Sequence, residues 1–392
     1  MMISRRNFLA VAGAAAAAAA LTACGGSSSS TSTASSAAAS SAASAGSEAA
    51  GKITKVALTC DTGTIDDESF NQACWTAVSG YMGDDCQYYI PEADASDEDR
   101  ETMIRQAVND GAEVIVCVGY LYGASLAWAA EQYPDVKFIA IDVTQGDIGT
   151  DAIPANCYCI TFKEEQAGYL AGYAITKDGK NKLGFLGGMA VPAVIRYGYG
   201  FVQGADAAAQ ELGQNIEINY FYGGQFYGDA NITSRMEGWY SNGTQVVFAC
   251  GGGIYSSAAE AAQKVGAKVI GVDVDQAGII DSKYGDKMTV TSAMKGLAPT
   301  VKTMLTEIMA GNWDKYAGKV ETLGLVSGDD PTQNYVQLPM DTTQWTDSFT
   351  QDNYKSLVKD MFDGKITVSN DITKSAADFA SVITVDDQGK IK

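Results

Sequence analysis

Short, almost continuously apolar runs alternate with longer amphipathic stretches from residue 52 onward. Such alternation is typical of βαβ units, and runs without polar positions are typical of parallel strands that are covered on both faces. The predicted strands are 55–60, 86–90, 113–118, 136–142, 183–186, 216–222, 245–250 and 268–273. The predicted helices are 97–109, 125–132, 164–176, 198–212, 232–241 and 256–265. We therefore expect an α/β protein with a largely parallel sheet.

The sequence contains an internal repeat. Asp-Gly-Ala-Glu-Val-Ile-Val leads into a strand that stops at Gly119, and Asn-Gly-Thr-Gln-Val-Val-Phe leads into one that stops at Gly251. Each copy continues through a helix to a second strand that ends in Asp-x-x-Gln, at Asp142 and at Asp273. Coincidence between two generic βαβ stretches is the alternative, but it does not explain the shared Asp-x-x-Gln. The repeat predicts two similar lobes whose strand ends face one cleft, where open α/β sheets bind ligands.

The N-terminal residues indicate export. The pair Arg5-Arg6 precedes an apolar stretch, 8–21, of the length of a signal peptide. That stretch is too short and too weakly apolar for a membrane-spanning helix. It ends in Leu-Thr-Ala-Cys24, which resembles the lipobox of bacterial lipoproteins, where the cysteine receives a diacylglycerol. We expect residues 1–24 to be a lipoprotein signal peptide; an ordinary signal peptide with a chance cysteine is the alternative.

Residues 25–51 are dominated by Ser, Ala, Thr and Gly. A segment of this composition cannot bury enough apolar surface to offset the entropy lost on ordering. As a flexible coil it reaches about 28 Å. It is therefore predicted to be a tether that holds the globular part away from a membrane.

Charge and composition exclude several classes of function. The chain has a formal net charge of −20, which does not suit binding to nucleic acid or to anionic lipid surfaces. It contains no histidine, which excludes histidine triads, histidine bases and histidine-ligated metals. The cysteines other than Cys24 form no C-x-x-C, and Cys60, Cys117 and Cys250 lie in apolar strands. We expect these three to be buried free thiols, and we expect no metal and no cofactor.

Four motifs in chain order carry a resemblance to a known family. They are Asp-Thr-Gly-Thr-Ile-Asp-Asp-Glu-Ser-Phe-Asn-Gln at 61–72, Gly-Phe-Leu-Gly-Gly-Met at 184–189, Gly-Val-Asp-Val-Asp-Gln at 271–276, and Thr-Ser-Ala-Met-Lys at 291–295. Together they resemble the basic membrane protein family, the nucleoside-binding lipoproteins of ABC-type importers. The resemblance covers nearly all of 53–340. Tyr197, Ala190 and Thr64 stand where many relatives have Phe, an acid and Gly.

The resemblance implies a type I periplasmic-binding-protein-like fold with two doubly wound parallel-sheet lobes joined by a multi-strand hinge. Lobe 1 is expected to comprise 52–161 plus 293–325, and lobe 2 to comprise 162–292 plus 326–392. The chain is expected to cross between them near Thr161, near Ser292 and within 325–337. The implied function is extracytoplasmic binding of a nucleoside, with a purine favoured, by lobe closure and delivery to an ABC transporter permease. The protein would be a monomer anchored to the cell membrane through Cys24, and would not be an enzyme.

The resemblance also implies a set of ligand-binding residues. Phe70 and Phe226 would sandwich the base, and Asp61, Asn71 and Asp142 would contact its edges. Asp273 and Lys295 would hold the ribose, while the Gly251-Gly252 backbone permits close approach. These residue types suit a nucleoside, because a base stacks on aromatic faces and ribose hydroxyls pair with carboxylates and an ammonium group.

Three alternative interpretations remain open from the sequence. Asp66 or Asp67 is more readily interpreted as a cap of the helix that Phe70 opens than as a ligand group. The same loop resembles the aspartate-rich loop of calcium-dependent nucleoside hydrolases, but Gly63 stands where that loop needs a second aspartate. A binding protein for a sugar or a signalling molecule on the same fold is the third.

Overall fold

The computed structural model describes residues 53–92 and 94–390. The predicted signal peptide, tether and lipidation site at Cys24 lie outside the described residues. The described residues form the predicted α/β fold. None of the helices described is both long and apolar enough to cross a membrane.

The strands and helices follow one another in regular alternation. The strands are β1 (Val56–Cys60), β2 (Cys86–Tyr89), β3 (Val114–Val118), β4 (Lys137–Ile141), β5 (Cys157–Phe162), β6 (Lys182–Gly187), β7 (Glu217–Tyr222), β8 (Val246–Cys250), β9 (Lys268–Asp273), β10 (Thr289–Lys295), β11 (Lys319–Leu323), β12 (Val336–Gln337) and β13 (Thr384–Lys390). The helices are α1 (Phe70–Met82), α2 (Asp97–Asn109), α3 (Gly123–Gln132), α4 (Gln145–Ile148), α5 (Glu164–Lys177), α6 (Pro192–Leu212), α7 (Ala230–Ser241), α8 (Tyr255–Val265), α9 (Ala277–Tyr284), α10 (Leu297–Met309) and α11 (Gln351–Phe362).

Two sheets with the same central topology form the framework. The first has the order β2-β1-β3-β4-β5-β11 and the second the order β13-β7-β6-β8-β9-β10-β12. Every neighbouring pair is parallel except β10 with β12. The five consecutive strands β1 to β5 take the same relative positions as β6 to β10. The repeat in the sequence, which pairs β3 with β8 and β4 with β9, therefore corresponds to a structural repeat.

Within residues 53–390, as far as the structure describes them, the chain passes between the two sheets three times. It leaves the first sheet after β5, returns to it after β10, and leaves it again after β11. Strand β10, which ends at Lys295, lies wholly in the second sheet. The lobe boundaries predicted from the sequence stay a prediction.

Helices α5 and α6 pack closely through glycines. A Cβ atom on Gly168 would lie 2.1 Å from the carbonyl oxygen of Tyr197, and one on Gly204 would lie 2.1 Å from that of Tyr169. Because only glycine permits this approach, the two helix backbones are held in contact. The packing brings the start of α5 beside Arg196 on α6, which is important for the site described below.

The thiols predicted to be structural are buried. Cys60, Cys117 and Cys250 are 0%, 0% and 1% exposed, which confirms the prediction from their apolar strands. None of the cysteines in the described part of the chain forms a disulfide. Burial raises the pKa of the Cys117 thiol to about 12, so this thiol stays protonated and unreactive at neutral pH.

Candidate functional site

The carboxyl ends of strands from both sheets line one cavity of about 1270 Å³. This is the position where open α/β sheets bind ligands. The structure brings together at this cavity all nine residues that the sequence predicts as ligand-binding: Asp61, Phe70, Asn71, Asp142, Phe226, Gly251, Gly252, Asp273 and Lys295.

Lys295 lies at the centre of a buried charge cluster. It ends β10, and its side chain is 2% exposed. Its Nζ atom lies 2.6 Å from Asp142 Oδ2, 3.4 Å from Glu164 Oε1 and 3.9 Å from Asp273 Oδ1. Burial opposes the charged form of Lys295, but the attraction of these carboxylates prevails and raises the pKa of its ammonium group. Lys295 is therefore a fixed positive charge in the cavity wall.

Glu164 completes this cluster from behind the cavity. It is the first residue of α5, is fully buried, and accepts a hydrogen bond of 2.7 Å from Arg196 Nε. Although burial alone would raise the pKa of Glu164, the charges of Arg196 and Lys295 hold it below its usual value. Glu164 is therefore a buried anion that positions Lys295. The sequence did not predict this role, and only the acidic Glu164-Glu165 pair at the helix start could have suggested it.

Asp142 and Asp273 occupy equivalent places in the repeat and share one backbone conformation. Their φ angles are 62° and 63°, in the left-handed region that residues with a Cβ atom rarely adopt. The turn directs each carboxylate into the cavity from the end of a buried strand. Burial raises the pKa of both, and Lys295 opposes this shift. The structure shows Asp142 paired with Lys295; its predicted contact with a base edge stays a prediction.

Asp61 lies at the end of β1, in the same sheet as the strand that Asp142 follows. Its Oδ2 accepts a hydrogen bond of 2.9 Å from the backbone N–H of Leu121, and its own carbonyl accepts one of 3.1 Å from Arg100 Nε. A Cβ atom on Gly119 would lie 2.1 Å from the Asp61 carboxylate, so glycine is required there. Burial raises the pKa of Asp61 to about 7, against the effect of the Leu121 hydrogen bond.

The loop before α1 is fixed by Asp67. Its carboxylate accepts hydrogen bonds from the backbone N–H groups of Ser69, Asn71 and Gln72. The N-cap position of α1 is Ser69 and not Asp66 or Asp67, but the Asp67 carboxylate pairs with N–H groups of the first turn, as the prediction required of a cap. These bonds orient the first turn of α1, which carries both Phe70 and Asn71 to the cavity.

Two buried acceptor atoms at the cavity have no hydrogen-bond partner among the described residues. Asn71 donates a hydrogen bond of 2.9 Å from Nδ2 to the carbonyl oxygen of Thr62, and its Oδ1 is left unpaired. Asp142 Oδ2 binds Lys295, which leaves its Oδ1 unpaired. Since unpaired buried acceptors are unfavourable, a ligand with N–H or O–H donors suits both positions.

Aromatic rings contribute from both sheets. Lys295 Nζ lies 4.5 Å from the centroid of the Phe70 ring. On the other side, Cβ atoms on Gly188 and Gly251 would lie 2.4 Å and 2.9 Å from Phe226 Cδ1. These glycines form the surface on which the Phe226 ring lies, so the cavity has one phenylalanine ring in each wall.

The sequence of this chain matches a known family over most of the described region. The model of the Bmp family, "ABC transporter substrate-binding protein PnrA-like", matches residues 53–339. The chain belongs to the Bmp family. This confirms the resemblance found in the sequence motifs. The family is one of extracytoplasmic substrate-binding proteins rather than enzymes.

Named relatives of this Bmp-family chain are of modest identity. The ABC transporter nucleoside-binding protein BmpA of Lactococcus lactis subsp. cremoris (strain MG1363) is 27% identical over 345 residues, which cover 82% of this chain and 92% of that protein. Basic membrane protein A of Borreliella burgdorferi (strain ATCC 35210 / DSM 4680 / CIP 102532 / B31) is 29% identical over 283 residues, which cover 71% of this chain and 78% of that protein.

Solved structures of ABC transporter solute-binding proteins share the fold. One from Aeropyrum pernix K1 has a TM-score of 0.61 and 22% identity, and covers 83% of this chain and 90% of its own. One from Conexibacter woesei DSM 14684 has a TM-score of 0.61 and 23% identity, and the match covers 81% of this chain and 99% of that structure's chain. These similarities confirm the predicted fold class for the Bmp-family chain.

Proposed function

We propose that this Bmp-family protein binds a nucleoside in the cavity between its two sheets. The observation that carries the proposal is the buried cluster of Lys295 with Asp142 and Asp273, next to the Phe70 ring. Two vicinal hydroxyls match a lysine donor flanked by carboxylate acceptors, and a flat base matches the aromatic face beside them. The relative from Lactococcus lactis, which is named for nucleoside binding, supports the same ligand class.

A purine suits this cavity better than a pyrimidine. A bicyclic base presents more surface to the rings of Phe70 and Phe226, and aromatic stacking increases with the area of overlap. The edge of either kind of base offers N–H groups to unpaired acceptors such as Asn71 Oδ1, so the preference for a purine rests on the stacking area. Asp61, Asn71 and Asp142 would contact the base edge, and Asp273 and Lys295 the ribose. The backbone of Gly251-Gly252 would lie against the ligand.

The proposed partners are a nucleoside and an ABC transporter permease. The protein would be held as a monomer at the extracytoplasmic face of the cell membrane through a lipid on Cys24. Residues 25–51 would let it reach the permease while it remains anchored.

A thermal-shift screen of purified protein tests this proposal. The screen includes purine and pyrimidine nucleosides, hexoses, pentoses and CaCl₂. A ligand that binds only the folded state raises the melting temperature in a concentration-dependent way. Stabilisation by nucleosides and not by sugars supports the proposal. Stabilisation by a sugar alone would favour the alternative of a sugar-binding protein on the same fold, and stabilisation by calcium would favour the hydrolase.

A further inference from the structure

We infer that Glu68 forms a latch across the cavity mouth that slows the release of a bound ligand. The latch consists of Glu68 from the loop before α1 and of Lys283, Tyr255 and Gln276 from the second sheet and its helices. The role in ligand release depends on the proposed binding in the cavity, but the contact between the lobes does not.

The side chain of Glu68 is held by two groups of the opposite lobe. Lys283 Nζ lies 2.7 Å from both of its carboxylate oxygens, and the Tyr255 hydroxyl donates to Oε2. Lys283 and Tyr255 belong to α9 and α8, which follow strands of the second sheet. The Lys283 ammonium group thus bridges both oxygens of the carboxylate, and the hydroxyl adds a second charge-assisted hydrogen bond. The pair therefore joins the lobes at the cavity wall, which Glu68, Lys283 and Tyr255 all line.

The backbone of Glu68 is held as well. Gln276 is fully buried, and its amide nitrogen donates to the Glu68 carbonyl over 3.1 Å. The amide oxygen of Gln276 accepts from the backbone N–H of Val272 over 2.9 Å, which fixes the amide. The φ angle of Glu68 is 57°, an uncommon conformation for a residue with a Cβ that requires support from its surroundings. The contacts with the second lobe supply that support.

The position of Glu68 connects the latch to ligand stacking. Ser69 follows it and donates from Oγ to Asp273 Oδ2 over 2.8 Å, and Phe70 comes next. Separation of the lobes must break the Glu68 contacts and move the Phe70 ring from the second lobe in the same step. We therefore assign Glu68 a positioning role, distinct from that of residues proposed to touch the ligand.

Single substitutions at both ends of the ion pair test the latch. Lys283→Met and Glu68→Gln should each raise the dissociation rate of guanosine or adenosine by about threefold to tenfold at low ionic strength, with smaller effects on association. The difference should shrink at high salt, because both side chains are partly exposed. Stopped-flow displacement measures these rates. Lys264→Met is the matched control, since Lys264 pairs with Glu237 and Glu260 within one lobe.

A charge-swapped variant and a scattering measurement separate the possible outcomes. The double variant Glu68→Lys with Lys283→Glu should restore slow dissociation. Small-angle X-ray scattering without ligand should show a larger radius of gyration for Lys283→Met than for wild type. Wild-type dissociation rates in both single variants, or no rescue in the double variant, overturn the latch. If neither nucleoside binds wild-type protein, the proposed function fails. The latch is then tested by scattering alone, and equal radii of gyration for Lys283→Met and wild type would overturn it.

Discussion

Lys295 Nζ lies 2.6 Å from Asp142 Oδ2, so the end of a strand in the second sheet is paired with the end of a strand in the first. Both side chains are almost fully buried. The buried lysine also contacts Glu164, which Arg196 holds in place. The wall of the cavity is thus an ionic network in which each charge depends on its neighbours.

Lys295→Met should destabilise the fold and abolish ligand binding together. The substitution leaves Asp142, Glu164 and Asp273 without their shared cation, and an uncompensated buried charge costs about 3–5 kcal/mol of unfolding free energy. Denaturant unfolding at neutral pH measures the loss. Lys302→Met, at an exposed lysine of α10, is the control and should stay near wild type. Equal stability of both variants would contradict the role assigned to the network.

Removal of either stacking ring should weaken nucleoside binding. Phe70→Ala and Phe226→Ala should each reduce the binding free energy by about 1–3 kcal/mol, the scale of stacking between a base and an aromatic side chain. Calorimetric titration of the folded variants measures the loss. Phe362→Ala is the control, because Phe362 is 47% exposed and lies outside the cavity lining. Unchanged affinity in both cavity variants would exclude the base sandwich.

Stability should depend on pH through Asp61. Burial raises the pKa of Asp61 to about 7, so between its ordinary value and pH 7 the folded protein holds a proton that the unfolded chain has lost. The contribution of Asp61 to stability therefore falls as pH rises through that window. Asp61→Asn removes this effect while keeping an acceptor for the Leu121 N–H group. The unfolding free energy of the variant, relative to that of wild type, should therefore rise by up to about 3 kcal/mol between pH 5 and pH 8.

Denaturant unfolding of wild type and Asp61→Asn at both pH values gives this difference. Asp67→Asn is a useful companion, because burial raises the pKa of Asp67 to about 6 and the same sign is expected. A stability difference for Asp61→Asn that is the same at pH 5 and pH 8 would show that Asp61 is ionised throughout.

Cys24→Ala should release the protein from the membrane. The proposed tether separates the anchor from the fold, so ligand affinity should not change. Fractionation of expressing cells, followed by calorimetric titration of the released protein, checks both statements. Membrane retention equal to that of wild type would contradict the lipobox interpretation.

The strand ends could be predicted from the sequence, because an apolar run that stops at a polar residue marks them. Asp142 and Asp273 were placed in this way, and their φ angles of 62° and 63° show that the repeat extends to the backbone. The repeat does not extend to side-chain partners. Gln145 donates to Asp151 within one lobe, whereas Gln276 donates to Glu68 across the cavity.

Other features depend on tertiary packing or lie at a sheet edge, where the sequence gives little indication of them. Glu164 and Lys295 are 131 residues apart, and only the tertiary packing of α5 against β10 makes them neighbours. Strand β13 was not predicted, since its sequence Thr-Val-Asp-Asp-Gln-Gly-Lys lacks an apolar run. It is an edge strand beside β7, where one side stays open to water and polar residues are tolerated.

Titration of one purified sample with nucleosides and their monophosphates tests the proposed function most directly. A 5′-phosphate brings up to two negative charges into a cavity lined by Asp61, Asp142 and Asp273, and the cation of Lys295 is already paired with Asp142 and Asp273. Above pH 7, where Asp61 also loses its proton, the repulsion should be strongest. The net charge of −20 also repels an anionic ligand at long range. We predict that adenosine, guanosine or inosine binds and that the matching monophosphate binds far more weakly. Monophosphates that bind as tightly as their nucleosides would contradict the proposed arrangement of the site.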